Sequence, residues 1–224
     1  MNHKLSAELN YFKNVWKGGF TQCYSDWKGQ TELVKVIHNL NFTKCLEIGC
    51  GRGHWSEMLS KRGELVVIDA KSKEDNAFPL DVEYHHIKDF ELNEIEDDSI
   101  DLVFSYDVWC HISKSGQELY LKNLHKKLKS NGECYIMIAD VKKFYNATKN
   151  EGFIRCYINH EDKSLEECFE IAELDADGEP AVGCRWYWIG LKNFKELVLK
   201  YNYEIIEDDI NTDPSSPIVR FKKK

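Results

Sequence analysis

The chain has 224 residues, 42% of them hydrophobic and 12% aromatic, which is enough to bury a core and excludes a disordered protein. Its formal net charge is −8 without a clustered basic face, which argues against a protein whose main role is to grip nucleic acid. The one tight basic run, residues 220–224, is typical of a solvated strand edge or tail.

The cysteines and the apolar segments predict a cytoplasmic protein. Eight cysteines occur without a CxxC pair, and Cys45 and Cys134 lie inside or beside apolar runs that predict buried strands. The N-terminus lacks the apolar region of a signal peptide, and no apolar stretch is long enough to span a membrane. We therefore expect reduced thiols, no membrane association and, because no paired ligand spacing occurs, no metal site.

Helices and strands alternate through the first 140 residues. In chain order, the predicted elements are a helix over 32–40, a strand over 44–48, a helix over 54–61 that ends at Gly63, strands over 64–68, 82–88 and 99–105, a helix that begins at a capping box of Ser115 and Glu118, and a strand over 133–139. Three strands are closed by acidic residues, Asp69, Asp89 and Asp140. This alternation predicts a parallel sheet with helices on both faces.

The alternation of predicted strands and helices is interrupted after residue 140. Residues 141–190 are rich in aromatic and charged side chains, and we interpret them as a substrate lid. A helix over 193–200 and strands over 203–210 and 217–221 follow, and the short connection between these strands is typical of an antiparallel hairpin at a sheet edge. We expect one domain, residues 1–224. It consists of an N-terminal helical arm (1–41), a ligand-binding core (42–140), the lid (141–190), and a last helix with the hairpin (191–224).

Three glycines, Gly49, Gly51 and Gly53, form a turn between the first strand and the following helix. Glycine tolerates positive φ, and its missing side chain lets a ligand lie against the backbone. Dinucleotide-binding enzymes would carry the third glycine at position 54, which is His54 here. Glu47, in the apolar strand before the turn, would be partnered by a cationic ligand and would repel a pyrophosphate. The turn therefore predicts a ligand that is not rich in phosphate.

The run LEIGCGRG at residues 46–53 resembles the first motif of the class I S-adenosylmethionine-dependent methyltransferases. The resemblance covers most of residues 42–221. It implies an α/β, Rossmann-like, doubly wound seven-stranded sheet, mostly parallel with an antiparallel C-terminal hairpin, and S-adenosylmethionine as the cofactor. The resemblance implies that Asp69 binds the ribose and that Asp89 and Phe90 bind the adenine. The residues implied to border the methionine part are Glu47, Gly49, Cys50, Gly51, Gly53 and Tyr106.

The methyl acceptor is expected outside the carboxyl ends of the fourth and fifth strands, where ligands bind in doubly wound sheets. The predicted catalytic residues there, able to take a proton from an acceptor hydroxyl, are Asp107, His111 and Asp140. A metal held by His111 and Asp140, with His160, is an alternative that no ligand spacing supports. Cations among aromatic residues in the lid suit a polar substrate, and the predicted substrate-binding residues are Arg155, His160 and Arg185.

Motifs that the sequence lacks narrow the acceptor further. Enzymes that methylate amino groups of DNA bases resemble one another in an Asp/Asn-Pro-Pro-aromatic motif after the fourth strand, where this chain has Ser105 to Val108. The Pro-Cys nucleophile of cytosine C5 enzymes is missing as well. The sequence therefore favours an enzyme that O-methylates a sugar or another small polar metabolite. The alternatives are N- or carboxyl-methylation of a protein, or a catalytically inactive cofactor-binding partner.

Overall fold

The computed structural model of the chain describes residues 27–87, 89–150 and 187–224, together with residues 6, 164, 166 and 167. In chain order the elements are α1 (Trp27–His38), β1 (Lys44–Ile48), α2 (His54–Leu59), β2 (Glu64–Asp69), β3 (Glu83–His86), β4 (Ile100–Ser105), a 3₁₀ turn (Trp109–His111), α3 (Lys114–Lys127), β5 (Leu128–Met137), α4 (Val141–Asn150), α5 (Leu191–Lys200), β6 (Tyr203–Glu207) and β7 (Ile218–Lys223). None of the described helices is long and apolar enough to cross a membrane.

The seven strands form one sheet in the order β3-β2-β1-β4-β5-β7-β6. β1 to β5 are parallel, whereas β7 is antiparallel to both β5 and β6. This topology confirms the predicted doubly wound sheet with an antiparallel C-terminal hairpin. Because the strand order reverses between β1 and β4, a crevice opens at the carboxyl ends of these two strands, where ligands bind in such sheets.

Two apolar layers, one on each face of the sheet, hold the strands in place. Cys45 and Leu46 are neighbours in β1 but belong to opposite layers, as the alternation of a strand requires. Buried residues of α1 and α2 complete the layer of Cys45, and those of α3 and α5 complete the layer of Leu46. Each fully buried aliphatic or aromatic side chain contributes roughly 1.5–3 kcal/mol. The carboxyl ends of the strands are therefore anchored by packing on both sides.

The start of α3 differs from the prediction. Its N-cap is Ser113, whose Oγ accepts a hydrogen bond from the Gly116 amide at 3.3 Å. Ser115 lies inside the first helical turn and cannot adopt the extended backbone that an N-cap requires. Glu118 accepts a 2.7 Å hydrogen bond from the Tyr201 hydroxyl instead of closing a capping box. The predicted capping box is therefore wrong, although the helix it announced is present.

Other boundaries shift because of strand pairing. β5 begins at Leu128, before the predicted start at residue 133, because Leu128 pairs with Ile100 of β4 ahead of a register shift. β3 is shorter than predicted, and its four residues are those that pair with β2. The first ten residues of the predicted lid form α4.

The basic C-terminal run lies on an interior strand and not at a sheet edge, since β7 pairs with both β5 and β6. Arg220 forms an ion pair with Glu133 of β5 at 3.0 Å, and Lys222 forms one with Glu204 of β6 at 3.3 Å. These positive charges are therefore matched by acidic side chains of the neighbouring strands.

Candidate active site at the carboxyl ends of the strands

The glycine turn between β1 and α2 has both packed and open positions. Gly49 has φ +74°, and a Cβ there would lie 2.2 Å from Cγ2 of Val108, so only glycine fits at this position. A Cβ at Gly53 would lie 2.9 Å from the ring of Phe78. A Cβ at Gly51 would have no atom within 4 Å. The surface above Gly51 is therefore the part of the turn that is open to a ligand.

Glu47 is a buried carboxyl group just before this turn. It is 2% exposed, and its Oε2 accepts a 2.5 Å hydrogen bond from the Ser56 hydroxyl of α2. Burial raises the pKa of Glu47 to about 8, the hydrogen bond from Ser56 opposes this increase, and the charge of Asp69 adds to it. The carboxyl group is therefore largely protonated at neutral pH, and a cation bound nearby would favour its charged form.

Asp69, at the end of β2, lies against the same turn. Its Oδ2 accepts a 3.1 Å hydrogen bond from the Gly51 amide and a 3.7 Å bond from the Cys50 thiol. Its Oδ1 accepts a 2.8 Å hydrogen bond from the Lys71 amide. These bonds fix the orientation of the carboxylate beside the open position of the turn.

Tyr106, directly after β4, connects the site to the C-terminal hairpin. Its hydroxyl donates a 2.7 Å hydrogen bond to Oδ2 of Asp213, in the connection between β6 and β7. The other oxygen of Asp213 accepts hydrogen bonds from the amides of Ser215 and Ser216. Sequence reasoning missed Asp213, because its partner is 107 residues away and the local Asp-x-Ser pattern indicates only a turn.

The turn after β4 brings three reactive side chains together. Asp107, Cys110 and His111 each offer one ligand atom, and these atoms lie within 4.8 Å of one another. The Cys110 thiol donates to Oδ1 of Asp107 at 3.6 Å, and burial raises the pKa of this thiol well above its usual range. Because Val108 lies against Gly49, this cluster is next to the glycine turn.

Gln117 of α3 fixes the turn from the protein interior. The side chain is fully buried, and its Nε2 donates 2.9 Å hydrogen bonds to the carbonyl oxygens of Trp109 and Ile112. These two residues flank Cys110 and His111. This buried amide therefore helps to fix the positions of both reactive side chains, and no sequence pattern pointed to it.

The family of the chain follows from its sequence match together with this fold and site. Residues 46–136 match the family described as a methyltransferase domain, and this stretch runs from β1 into β5 and contains the glycine turn and Asp69. The chain therefore contains a methyltransferase domain, built on the fold of the class I S-adenosylmethionine-dependent methyltransferases. S-adenosylmethionine is therefore its cofactor, as the LEIGCGRG run predicts. A search of curated proteins gave no match to the sequence.

Solved structures share the fold of this methyltransferase at low sequence identity. A candidate S-adenosylmethionine-dependent methyltransferase from Listeria monocytogenes has a TM-score of 0.59 at 17% identity, with 88% of this chain and 98% of that chain covered. An S-adenosylmethionine-dependent methyltransferase from Mesorhizobium loti has a TM-score of 0.57 at 12% identity, covering 87% and 98%. A 1,6-didemethyltoxoflavin-N1-methyltransferase from Burkholderia thailandensis, with bound S-adenosylhomocysteine, has a TM-score of 0.53 at 13% identity, covering 100% and 91%.

Asp89 and Phe90, predicted at the adenine, have different surroundings in the methyltransferase. Asp89 is exposed, and its Oδ1 accepts a 3.0 Å hydrogen bond from the Glu91 amide. Phe90 is buried, and its ring packs edge-on against Tyr120 with centroids 4.9 Å apart. Phe90 therefore belongs to the core beneath α3, which leaves little of its ring for a ligand.

Asp140, predicted as a proton acceptor, caps two helices. Its Oδ1 accepts a 2.7 Å hydrogen bond from the Lys143 amide in α4, and its Oδ2 accepts a 2.9 Å bond from the Leu191 amide in α5. A carboxylate that satisfies the starts of two helices has a structural role. This geometry favours helix capping over the predicted catalytic role for Asp140.

The described residues contain only part of the predicted lid. α4 packs against the site through Phe144, whose ring lies 5.1 Å from that of Trp188, beside Cys110. The predicted substrate-binding residues that lie outside the described ranges are Arg155, His160 and Arg185.

Proposed function

We propose that this methyltransferase transfers its methyl group to an oxygen atom of a small polar metabolite, such as a sugar, in the cytoplasm. The observation that carries the proposal is the packing of Val108 against Gly49. This packing sets the turn of Asp107 and His111 against the glycine turn, so that a methyl donor and a proton acceptor would share one crevice. An imidazole or carboxylate is the type of group that an acceptor hydroxyl needs.

The proposed reaction is an in-line displacement. The acceptor oxygen attacks the methyl carbon of the sulfonium, the bond between sulfur and methyl carbon breaks, and sulfur keeps the electron pair. The products are a methyl ether and S-adenosylhomocysteine, and the proton of the acceptor hydroxyl passes to His111. Because the sulfonium is already an excellent leaving group, the protein contributes mainly position and a proton acceptor.

On the donor side, we assign the methionine part of the cofactor to Glu47 and the open face of Gly51, and the ribose hydroxyls to Asp69. The buried Glu47 supports the first assignment because a cation restores the charged carboxylate. The oriented carboxylate of Asp69 supports the second because two neighbouring hydroxyls need two acceptor oxygens.

Calorimetry with S-adenosylmethionine tests the donor assignment. We expect Asp69→Ala to weaken binding by about tenfold or more, since it removes hydrogen bonds to an ionised acceptor. The matched control is Asp81→Ala, an exposed aspartate of the following connection, which should bind like the wild type. Equal affinities for the two variants would exclude Asp69 from the ribose site.

Transfer of a tritiated methyl group tests the acceptor. The enzyme, S-adenosylmethionine labelled in the methyl group, and a metabolite extract are incubated, and we expect label in the small-molecule fraction as a base-stable ether. Label confined to protein would support the N- or carboxyl-methyltransferase alternative. Cofactor binding without any transfer would support an inactive binding partner. The Burkholderia enzyme, named as an N1-methyltransferase, makes N-methylation of a small molecule the further outcome to separate by product analysis.

A further inference from the structure

The thiol of Cys110 has no part in the proposed reaction, yet it lies between the two residues that do. A carboxylate, a thiol and an imidazole converge here, and their ligand atoms lie within 4.8 Å of one another. These are the three side-chain types that bind zinc in proteins. No metal site is expected from the sequence because these residues lack paired ligand spacing, but the 3₁₀ turn brings their ligand atoms together in the folded chain.

The backbone that carries these side chains is held from two directions. Gln117 bonds the carbonyl oxygens on both sides of Cys110 and His111, at 2.9 Å each. The Tyr187 amide donates a 2.7 Å hydrogen bond to the carbonyl oxygen of Cys110. A ligand set on a fixed backbone needs little reorganisation to bind a metal.

The surroundings of Cys110 favour a metal complex without net charge. The residue is fully buried among apolar side chains that include Phe144 and Trp188. An isolated thiolate is costly there, whereas a thiolate and a carboxylate on one divalent cation neutralise it. A sulfur and a nitrogen ligand select zinc over magnesium or calcium, which prefer oxygen.

We infer that Asp107, Cys110 and His111 bind a zinc ion whose open fourth position takes the oxygen of the methyl acceptor. Three protein ligands and one open position are the arrangement of catalytic zinc sites. The role toward the acceptor rests on the proposed function. The inference changes one step of that function: with zinc bound, His111 is a ligand, so the proton of the acceptor hydroxyl passes to water and not to His111.

Cobalt binding to the metal-free full-length chain tests the site without any turnover. We expect a saturable 1:1 complex with the charge-transfer absorption of a cobalt–thiolate bond, which zinc then displaces. Cys110→Ser should abolish this absorption and lower the affinity about 100-fold or more, since loss of a mere supporting residue costs 10–100-fold. The matched control is Cys134→Ala, a fully buried free thiol in β5, which should keep the absorption.

Two further measurements keep the outcome clear. His111→Gln removes a ligand from the less buried side of the turn and should also lose cobalt, in case Cys110→Ser does not fold. Calorimetry with S-adenosylmethionine on the metal-free wild type reports the donor site separately. Absence of a 1:1 complex, or an absorption that persists in Cys110→Ser, would overturn the zinc site even if the cofactor binds.

Discussion

At the scale of single residues, the raised pKa of Glu47 should make the stability of the protein depend on pH. Its pKa rises from an ordinary value of 4.5 to about 8, chiefly because of burial. The folded state therefore holds a proton that the unfolded state has lost, and stability falls as pH rises from about 4.5 to 8. We expect the midpoint of thermal unfolding of the wild type to decrease across this interval. Glu47→Gln, which cannot ionise, should remove most of that decrease.

The matched control for this prediction is Glu57→Gln, one residue beyond Ser56 on α2. Glu57 is partly exposed and forms an ion pair with Lys61 at 2.8 Å, so its loss should leave the pH profile of the wild type in place. Thermal scans by circular dichroism from pH 5 to 9 provide the measurement. A profile of Glu47→Gln that still follows the wild type would mean that another group controls the pH dependence.

The sequence identified Glu47 and Asp69 because a carboxylate in an apolar strand, or at its end, is conspicuous. It did not identify Ser56 or Asp213, whose roles depend on side-chain positions in the folded molecule. Ser56 reaches Glu47 across the glycine turn, and Asp213 reaches Tyr106 from the C-terminal hairpin. Hydrogen bonds between residues that are distant in the chain leave no local sequence pattern. A site residue could therefore be predicted only where its residue type stands out among its neighbours in the sequence.

At the scale of elements, two glycines of the turn between β1 and α2 have different roles: Gly49 is needed for packing, and Gly51 is open to a ligand. Gly49→Ala would push a methyl group into Val108 and should destabilise the protein by about 2–4 kcal/mol through overpacking and positive φ. Gly51→Ala meets no neighbouring atom, so only the left-handed backbone costs about 1 kcal/mol. We expect Gly51→Ala to remain folded but to bind S-adenosylmethionine about tenfold more weakly or worse, as measured by calorimetry.

The double variant Gly49→Ala/Val108→Ala is the control for the collision. Shortening Val108 makes room for the new methyl group, so part of the lost stability should return in urea unfolding. Normal cofactor affinity in Gly51→Ala would show that the open face of the turn is not the binding surface.

The 3₁₀ turn after β4 depends on Gln117, and this dependence is testable. Gln117→Leu keeps the volume but removes the donor to two buried carbonyl oxygens, which should cost about 1–3 kcal/mol. Amide exchange in residues 109–112 should accelerate more than exchange in the sheet. Asn123→Leu is the matched control on the same helix, because its buried amide donates at 2.9 Å to the carbonyl oxygen of Phe90 instead. If amide exchange in residues 109–112 accelerated equally in both variants, Gln117 would have no specific role in fixing this turn.

The elements themselves were predictable wherever apolar periodicity was strong. β2 and β4 agree with their apolar runs to within a residue. The capping box failed because Ser113 and Ser115 are both good caps in sequence, and only the backbone conformation separates them. The start of β5 was missed because residues 128–132 are mostly polar and enter the sheet through their pairing with β4.

At the scale of the whole molecule, the parallel sheet was predictable from the alternation of strands and helices, whereas its doubly wound seven-stranded form was implied by the resemblance of the LEIGCGRG run. The sheet aligns the ends of β1, β2 and β4, and thereby gathers Glu47, Asp69 and Asp107 from distant parts of the chain. The same argument placed Asp140 at this edge. It did not reveal that the starts of α4 and α5 would occupy both of its oxygens, because that depends on where each helix begins.

A cofactor that binds this edge contacts strands that are aligned only in the folded sheet, so binding should stabilise the whole molecule. At about 100 times its dissociation constant, a ligand of the native state adds about 2.7 kcal/mol. For a chain of this size, that should raise the unfolding midpoint by roughly 5–10 °C. We expect this shift with S-adenosylmethionine in the wild type, and about half of it or less in Asp69→Ala at the same concentration, because a tenfold weaker site is filled at only about 10 times its dissociation constant. The dinucleotide NAD⁺ is the matched ligand control, because dinucleotide-binding turns carry their third glycine at the position that His54 occupies here. A comparable shift with NAD⁺ would contradict the selectivity that we assign to the glycine turn.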